Sequence, residues 1–290
     1  MSDVKCQTIK AIIFFIYIFF VTNNIYAQNF SKEDVEICDA KFRMAVDSSL
    51  HSLPLKEIMV KVGESFIGTP YEAFALEKDS VEQLVINFSG LDCTTFIENV
   101  LALSRCIKKE KYSFEDFQDE LQLIRYRGGL INEYPSRLHY MSDWIYDNEQ
   151  KGIVTNITDD IGGEKTRFRF NFMSTHPESY KHLKNNPGFV SEIQKQEMEI
   201  TRRDHYYIPK SRVGYFENKI NSGDIIFFTT SIEGLDVSHA GLAVKTEGGK
   251  THILHAPNKN YKVQLTEKTL VDYLKSNKGM TGIIVVRAAE

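Results

Sequence analysis

A cysteine stands where a helix is expected to begin. Cys93 lies in the segment FSGLDCTTFIENVLALS, between an aspartate and two threonines, and an apolar run with helical spacing follows it at once. A thiol in the first turn of a helix lies beside unpaired backbone N–H groups and the positive end of the helix dipole, which stabilise a thiolate. A buried structural cysteine would be equally well placed in the middle of the run. The position therefore indicates a nucleophile with a lowered pKa.

Two histidines in the last quarter of the chain could serve this thiol. His239 begins the apolar run AGLAV, and His255 ends the run THIL of the expected next strand. A cysteine, a histidine base and a third polar residue that orients the base are the minimum for thiol hydrolysis. Antiparallel neighbours would bring His239 and His255 side by side if their registers match, whereas His252 faces the other side of the strand. The pattern alone allows one of these two residues to join His239, and does not decide which.

Metal chemistry has little support in the sequence. Histidine and cysteine are zinc ligands, but no tightly spaced pair such as CxxC or HExxH occurs. We predict no metal and no other cofactor. The histidines of the middle segment are expected to be surface or packing residues: His139, His176, His182 and His205.

The elements that must position these groups are predicted to be helices in the N-terminal part of the chain and a β-sheet in its last quarter. Helical spacing predicts helices over SKEDVEICDAKFRMAVDSSL, PLKEIMVKVGESFIG, the run after Cys93 and SFEDFQDELQLIRYR. The segment EQLVINFSG is expected to be a strand. The last quarter consists of short β-rich runs, and TEGGK is typical of a hairpin between two of them. This order predicts an α+β layer architecture.

Composition and the N-terminal residues limit the classes of function that are compatible with the sequence. The chain has 290 residues, a net charge of −4 and no long basic run, which argues against nucleic-acid binding. Lys5 and Lys10 precede AIIFFIYIFFV, and NNIYAQ follows, as in a secretory signal cleaved after Ala27. An uncleaved anchor is the alternative, although the apolar run is short for a spanning helix. We expect residues 1–27 to be a signal peptide and 28–290 a single exported monomeric domain, periplasmic or associated with the cell envelope, with no stable membrane insertion.

Export bears on the remaining cysteines. Removal of the signal leaves Cys38, Cys93 and Cys106, an odd number, so at least one thiol stays free or pairs between molecules. Cys93 and Cys106 would point to opposite faces of one helix and should not pair. A disulfide between Cys38 and Cys106 is one alternative, and two unpaired cysteines in the core are the other.

Residues 130–215 form an irregular segment rich in aromatic residues, Asn, Pro and charge. The segment is too long for a simple connection, and we expect it to build the walls of a substrate pocket. Trp144, the single tryptophan, is either a core residue or a wall against which a sugar or peptide packs. Asp143 could bind an amine or cap a helix.

The motifs around these residues carry a family resemblance. LDCTTF before a helix, followed by SGDIIFF, SHAGLAV and HILHA, resembles the NlpC-type cell-wall cysteine hydrolases, which are compact papain-like enzymes. The resemblance implies that Cys93 is the nucleophile, His239 the base and His255 the residue that orients it. GTPY resembles an upstream element that places Tyr71 at the active-site wall. Candidate substrate-binding residues are Tyr71, Asp92, Thr94, Asp143, Trp144 and Ser238.

Departures from that pattern indicate one branch of the superfamily. Most relatives have Asp-Cys-Ser-Gly-Phe where this chain has Asp-Cys-Thr-Thr-Phe, the glycine pair after the tyrosine is missing, and a long insert precedes the sheet. With RLHYMSDWI, NFMSTHP and YYIP, these features resemble the N-acetylmuramoyl-L-alanine amidase-like proteins of Gram-negative cell-wall recycling. The resemblance runs from about residue 55 to the C-terminus.

The resemblance to this branch implies an exported cysteine amidase. The enzyme would act on peptidoglycan fragments, at the bond between N-acetylmuramic acid and L-alanine, through a thioester intermediate. A peptidase that cuts between D-glutamate and the diamino acid of the stem would use the same triad. An inactive cell-wall binding protein is the alternative of another class.

Overall fold

The structure, a computed structural model, describes residues 29–258 and 261–290, so the predicted signal peptide lies outside the described residues. Within these ranges no helix combines the length and the apolar character needed to cross a bilayer. The helices of the described ranges are Lys32–Asp47 (α1), Leu55–Glu64 (α2), Cys93–Lys108 (α3), Phe114–Arg125 (α4), Met141–Gln150 (α5), Phe172–Thr175 (α6), Pro187–Arg202 (α7), Val213–Phe216 (α8) and Leu270–Ser276 (α9).

The described strands form one eight-stranded sheet. They are Val154–Asn156 (β1), Glu164–Thr166 (β2), His205–Pro209 (β3), Ile225–Thr230 (β4), Val237–Lys245 (β5), Thr251–His255 (β6), Gln264–Leu265 (β7) and Met280–Ala288 (β8). Their order is β2-β3-β8-β4-β5-β6-β7, β1 also pairs with β8, and every pairing is antiparallel. The predicted α+β architecture, with helices before an antiparallel sheet, is confirmed. The predicted TEGGK hairpin joins β5 to β6, with Lys245 opposite Thr251.

Three of the helices begin where their capping residues predict. Ser31, Asp92 and Ser113 are the N-caps of α1, α3 and α4, and each belongs to a reciprocal capping box. In α3 the partner of Asp92 is Thr95, whose hydroxyl accepts a hydrogen bond from the Asp92 backbone N–H at 2.9 Å. The second threonine of LDCTTF therefore fixes the first turn of the helix that carries Cys93.

The helices cover both faces of the sheet. Leu242 of β5 and Leu254 of β6 join the largest apolar cluster, which includes the buried sides of α2 and α3. Ile253 faces the other way, into a second cluster with residues of α9. Cys38 and Cys106 are free, buried thiols of the first cluster. The cysteine helix and the short C-terminal helix α9 thus lie against opposite faces of the same strands.

The segment EQLVINFSG, expected to be a strand, is extended but pairs with no strand of the described chain. Side chains take the place of a partner strand: Arg125 donates to the Val85 carbonyl at 2.6 Å, and Asp34 accepts from the Phe88 N–H at 2.7 Å. These two backbone groups are therefore satisfied without a ladder. The segment is extended, and the prediction that it forms a strand is wrong.

The dipeptide Gly223-Asp224 precedes β4, and its glycine is required because the backbone of α2 passes close to it. Gly223 has φ +88°, and a Cβ at this position would lie 2.2 Å from the carbonyl oxygen of Lys56. Asp224 is buried, and its two carboxylate oxygens accept hydrogen bonds from the Arg287 guanidinium at 2.8 and 2.9 Å. The pair thus ties the first central strand to α2 on one side and to the C-terminal strand on the other.

Candidate active site

Cys93 is the first residue of α3 and its side chain is partly exposed. The carboxylate of Asp92 accepts the backbone N–H of Thr95 at 2.8 Å, which makes Asp92 a helix cap. The capping box uses the N–H groups of Asp92 and Thr95. The N–H groups of Cys93 and Thr94 take no part in it and lie in the first turn of the helix.

The two histidine rings meet on neighbouring strands. His239 Nε2 and His255 Nδ1 are 2.6 Å apart, and the ring planes are inclined by 71°. His255 is buried, whereas His239 is partly exposed. His252 Nδ1 instead bonds to the carbonyl oxygen of Thr266 at 2.8 Å, on the other side of β6. The geometry selects His255 as the neighbour of His239, which the sequence pattern had left open.

A β-bulge lies next to His239. Phe228 of β4 is opposite His239, but Thr229 is opposite Val237, so Ser238 is an extra residue in β5. Bulges re-aim side chains at the ends of strands. Here the bulge leaves Ser238 exposed at the rim of the cavity described next.

One cavity of about 890 Å³ collects most of the predicted site. Cys93, His239 and His255 line it together with Tyr71 and Ser238. The other described residues of its lining are Thr230, Ile232, Pro257, Asn258, Gln264, Leu265, Thr266, Glu267, Lys268, Tyr273, Ser276, Asn277, Lys278, Gly279 and Met280.

The thiol lies at the strand that carries His239. The backbone of Ala240, the residue after His239, and the side chain of Thr94 lie near enough to the Cys93 sulfur to lower its pKa. The hydrogen bonds of the described residues do not include one between Cys93 and His239. Catalytic pairs are often long in the free enzyme and close in the substrate complex.

Burial controls the protonation of all three groups. It raises the pKa of the Cys93 thiol to about 12, with a further contribution from the Asp92 carboxylate, and this outweighs the hydrogen bonds that lower it. Burial, then the neighbouring His255, lowers the pKa of His239 to about 3, and burial lowers the pKa of His255 to about 4. The resting pair at neutral pH is therefore a thiol and a neutral imidazole. The expectation that the helix start lowers the pKa of Cys93 is wrong for this geometry, because desolvation of the sulfur is the larger effect.

This protonation state predicts the pH dependence of alkylation. With a thiol pKa of about 12, the iodoacetamide rate at Cys93 should rise about tenfold per pH unit between about pH 7 and 9, since only the thiolate reacts. Cys38 and Cys106 are buried and should react more slowly. Peptide mapping after timed alkylation measures all three rates. A plateau that begins near pH 6 would indicate a preformed thiolate, and equal rates at the three cysteines would contradict the assignment.

The glycine after Ala240 allows the two histidine strands to pack closely. A Cβ at Gly241 would lie 2.4 Å from Ile253 Cγ2, 3.0 Å from His255 Cβ and 3.1 Å from the Leu254 carbonyl oxygen. Real Cβ atoms do not come within 3.0 Å of another atom, so a side chain here would displace Ile253 and press against His255 and Leu254. The motif His-x-Gly therefore has a packing cause as well as a chemical one.

We expect Gly241→Ala to lower the free energy of unfolding by about 1–3 kcal/mol through overpacking, and to lower turnover because His255 moves. Urea unfolding and steady-state kinetics of the same preparation measure both effects. Gly248→Ala is the matched control, since a Cβ there meets no atom within 4 Å. Equal behaviour of the two variants would refute the packing argument.

Trp144 and Asp143 do not reach the cavity, which corrects their prediction as substrate-binding residues. Trp144 is buried with 1% of its surface exposed, and its ring lies 5.7 Å from that of Phe227. Phe227 and Phe228 point to opposite faces of β4, and His239 stacks on Phe228. Trp144 and His239 therefore lie on opposite sides of the sheet.

Asp143 is equally enclosed. Its carboxylate accepts hydrogen bonds from Arg127 at 2.6 Å and from Arg203 at 2.7 Å, and it is 1% exposed. Two guanidinium groups thus occupy the carboxylate that was expected to bind an amine.

The segment 130–215 as a whole supplies none of the described residues that line the cavity. The expectation that it builds the pocket walls is therefore wrong. Its strands β1, β2 and β3 extend the sheet beyond β8, and Gly234, in the loop before β5, packs against Asn171 and Phe172 of this segment. The segment does not reach the cavity itself. It supports the loop before β5, and Ile232 of this loop lines the cavity.

Tyr273 of α9 is the site residue that sequence reasoning missed. Its ring lies 5.4 Å from the ring of His255 and 6.3 Å from that of His239. Burial, and then the neighbouring Cys93, raise the pKa of Tyr273 to about 12, and burial, then Cys93 and Asp92, raise the pKa of Tyr71 to about 12. Two phenols that stay protonated therefore flank the thiol. Tyr273 lies in a seven-residue helix between β-rich runs and in no motif, so no sequence signal indicated it.

The chain belongs to the AmiA-like family of N-acetylmuramoyl-L-alanine amidase-like proteins. The family model matches residues 61–282, which include Tyr71, Cys93, both paired histidines and Tyr273. The family assignment supports a hydrolase related to peptidoglycan.

Several solved structures are similar to this chain. A crystal structure of an N-acetylmuramoyl-L-alanine amidase from Bacteroides uniformis is 37% identical, with a TM-score of 0.77, and the match covers 81% of this chain and 99% of that one. A structure from Bacteroides fragilis, described as a putative xylanase, is 42% identical over 79% of this chain and 99% of that one, with a TM-score of 0.74. A Legionella pneumophila protein at 20% identity, TM-score 0.67 and 90% and 97% coverage shares the fold. No curated protein matches the chain.

Proposed function

We propose that this protein is an exported cysteine amidase that hydrolyses the bond between N-acetylmuramic acid and L-alanine in peptidoglycan fragments. One observation carries the proposal: a cysteine at a helix start and a hydrogen-bonded histidine pair open into the same cavity, in a chain of the amidase-like family. The papain-like placement is part of the proposal, and the helix-borne thiol facing a strand-borne imidazole supports it.

The reaction begins with a proton transfer. His239 Nε2 is engaged by His255, so Nδ1 is the nitrogen left to accept the Cys93 proton. As the S–H bond breaks, sulfur bonds to the amide carbon and the carbonyl electrons move onto oxygen. Because both groups are neutral at rest, this transfer accompanies the attack and does not precede it.

Backbone donors stabilise the oxygen that becomes negative. The N–H groups of Cys93 and Thr94 lie at the free end of α3, where the helix dipole adds to their effect. The Tyr71 hydroxyl, protonated and in the same cavity, is a further donor.

Two further steps complete the cycle. The C–N bond breaks as the imidazolium of His239 protonates the nitrogen of L-alanine, and the muramyl lactyl group remains on sulfur as a thioester. His239 then takes a proton from water as the water oxygen bonds to the acyl carbon. The C–S bond breaks, and the imidazolium of His239 returns this proton to the sulfur, which restores the thiol and the neutral base. The net change is one amide and one water converted to one carboxylic acid and one amine.

Export and the monomeric state belong to this proposal. The basic residues, apolar run and small cleavage-site residue of positions 1–27 support delivery to the periplasm or cell envelope, where such fragments arise. The substrate is a soluble partner that carries both a sugar and a stem peptide.

Xylan hydrolysis is a candidate because of the name given to the Bacteroides fragilis structure. Glycoside hydrolysis requires a pair of carboxylates that flank the bond. Among the described residues that line the cavity, Glu267 is the single acidic one. The cavity therefore favours the thiol chemistry.

Product analysis tests the proposal and its nearest rival. A defined muropeptide with N-acetylmuramic acid and a tetrapeptide stem is incubated with the protein, and the products are identified by mass spectrometry. The proposal predicts a free sugar acid and a tetrapeptide with a new L-alanine amine. Release of a diamino-acid dipeptide would instead establish an endopeptidase, and tight binding without products would establish a binding protein.

A further inference from the structure

His255 has one nitrogen whose partner is unaccounted for. Nδ1 lies 2.6 Å from His239 Nε2, while Nε2 is buried and has no hydrogen-bond partner among the described residues. A buried N–H without a partner is costly, so this atom calls for a physical explanation.

The proton on that nitrogen decides whether His239 is a base. To accept a proton at Nδ1, His239 must carry its own proton on Nε2 and donate it to His255 Nδ1. His255 then carries its proton on Nε2. The opposite pair of tautomers places a proton on His239 Nδ1, where it blocks transfer from Cys93. The inference therefore rests on the proposed function.

An aromatic ring packs against His255. The planes of His255 and Tyr273 are inclined by 85°, with centroids 5.4 Å apart. This edge-to-face arrangement suits an N–H group directed at an electron-rich ring face. Tyr273 is itself held by Phe228, whose ring centroid is 5.4 Å away and which also stacks on His239 at 5.7 Å.

We propose that Tyr273 is a positioning residue whose ring face accepts the Nε2–H of His255 and thereby holds both histidines in the tautomers that make His239 a base. A bare Nε2 lone pair would face the negative ring quadrupole and be repelled, so the ring favours one tautomer over the other. Tyr273 and both histidines line the same cavity.

Protonation states are consistent with this role. Burial lowers the pKa of His255 to about 4, so at neutral pH the residue is neutral and the choice of tautomer is its remaining freedom. The raised pKa of Tyr273, about 12, keeps its phenol uncharged over the same range.

Nitrogen-15 NMR of the imidazole rings reads the tautomers directly, without substrate. Wild type and Tyr273→Phe, which keeps the ring, should show His255 protonated on Nε2. Tyr273→Leu, which removes the ring, should show a mixture of the two tautomers. His255 protonated on Nδ1 in the wild type would overturn the proposal, and so would an unchanged spectrum in Tyr273→Leu.

Kinetics on the muropeptide supply the second measurement. Tyr273→Leu should lower kcat about tenfold with KM within about twofold, as expected when a residue that orients a catalytic histidine is lost, and Tyr273→Phe should stay within about twofold in both. Tyr215→Leu, at a residue that is 80% exposed and outside this cavity, controls for the substitution itself. Equal losses in the Phe and Leu variants would assign the effect to the hydroxyl and refute the ring. If no muropeptide is hydrolysed, the proposed function fails while the NMR result still decides the tautomers.

Discussion

Cys93→Ala is expected to lower kcat/KM for the muropeptide by about 10,000-fold or more, because the attacking atom is gone and only binding and backbone donors remain. The side chain is partly exposed and small, and the cap of α3 is formed by Asp92 and Thr95, so the free energy of unfolding should change by less than about 1 kcal/mol. Stopped assays with product detection and urea unfolding measure the two quantities.

Cys106→Ala is the matched control for this substitution. Cys106 lies on the same helix but is fully buried in the apolar cluster, so its loss should reduce stability and leave the folded enzyme active. The opposite outcome, activity retained in Cys93→Ala and lost in folded Cys106→Ala, would remove Cys93 from the mechanism.

Trp144→Ala is expected to lower the free energy of unfolding by about 3–5 kcal/mol, the cost of deleting a large aromatic side chain from a core. The ring packs against Phe227 on the sheet face opposite His239, so KM of the folded fraction should change by less than about twofold. Thermal unfolding and kinetics below the transition temperature measure both. Trp144→Phe, which fills most of the volume, should recover much of the lost stability.

This outcome separates two roles for the insert. If Trp144 contacted substrate, its replacement would raise KM with little effect on unfolding. A raised KM in a fully folded variant would therefore show that the cavity extends to α5 and would contradict the placement of this helix in the core.

Local chemistry made much of the fold predictable. Ser31 and Ser113 indicate where α1 and α4 begin, because a serine hydroxyl and the acidic residue three positions later satisfy free N–H groups at a helix start. TEGGK lies between two β-rich runs, and the hairpin follows. The segment that contains Val85 and Phe88 was predicted to be a strand because its residue types do not show whether a partner strand or nearby side chains satisfy its backbone groups.

The site also has a part that local sequence predicts and a part that depends on contacts distant in sequence. Strand parity limits the neighbour of His239 to one of two residues, and the structure selects His255. The place of Trp144 depends on which face of the sheet α5 covers, and no local pattern encodes that. Tyr273 reaches the histidines only because α9 folds back over β6, a contact that is likewise distant in sequence.

The sign of the Cys93 pKa shift was also beyond the sequence. A helix start lowers a thiol pKa, and burial raises it, and the balance depends on how closely the surrounding groups exclude water. Here burial is the largest influence on the pKa of the thiol, followed by the Asp92 carboxylate and then the Ala240 backbone.

Intact-protein mass spectrometry during turnover tests the central claim most directly. Wild-type enzyme is mixed with the muropeptide, quenched in acid within milliseconds to seconds, and mapped by peptide digestion. The account predicts a transient adduct on Cys93 whose added mass is that of the muramyl lactyl group without any amino acid, and no adduct in Cys93→Ala. An adduct that carries L-alanine and D-glutamate, an adduct on another residue, or undiminished turnover by Cys93→Ala would contradict it.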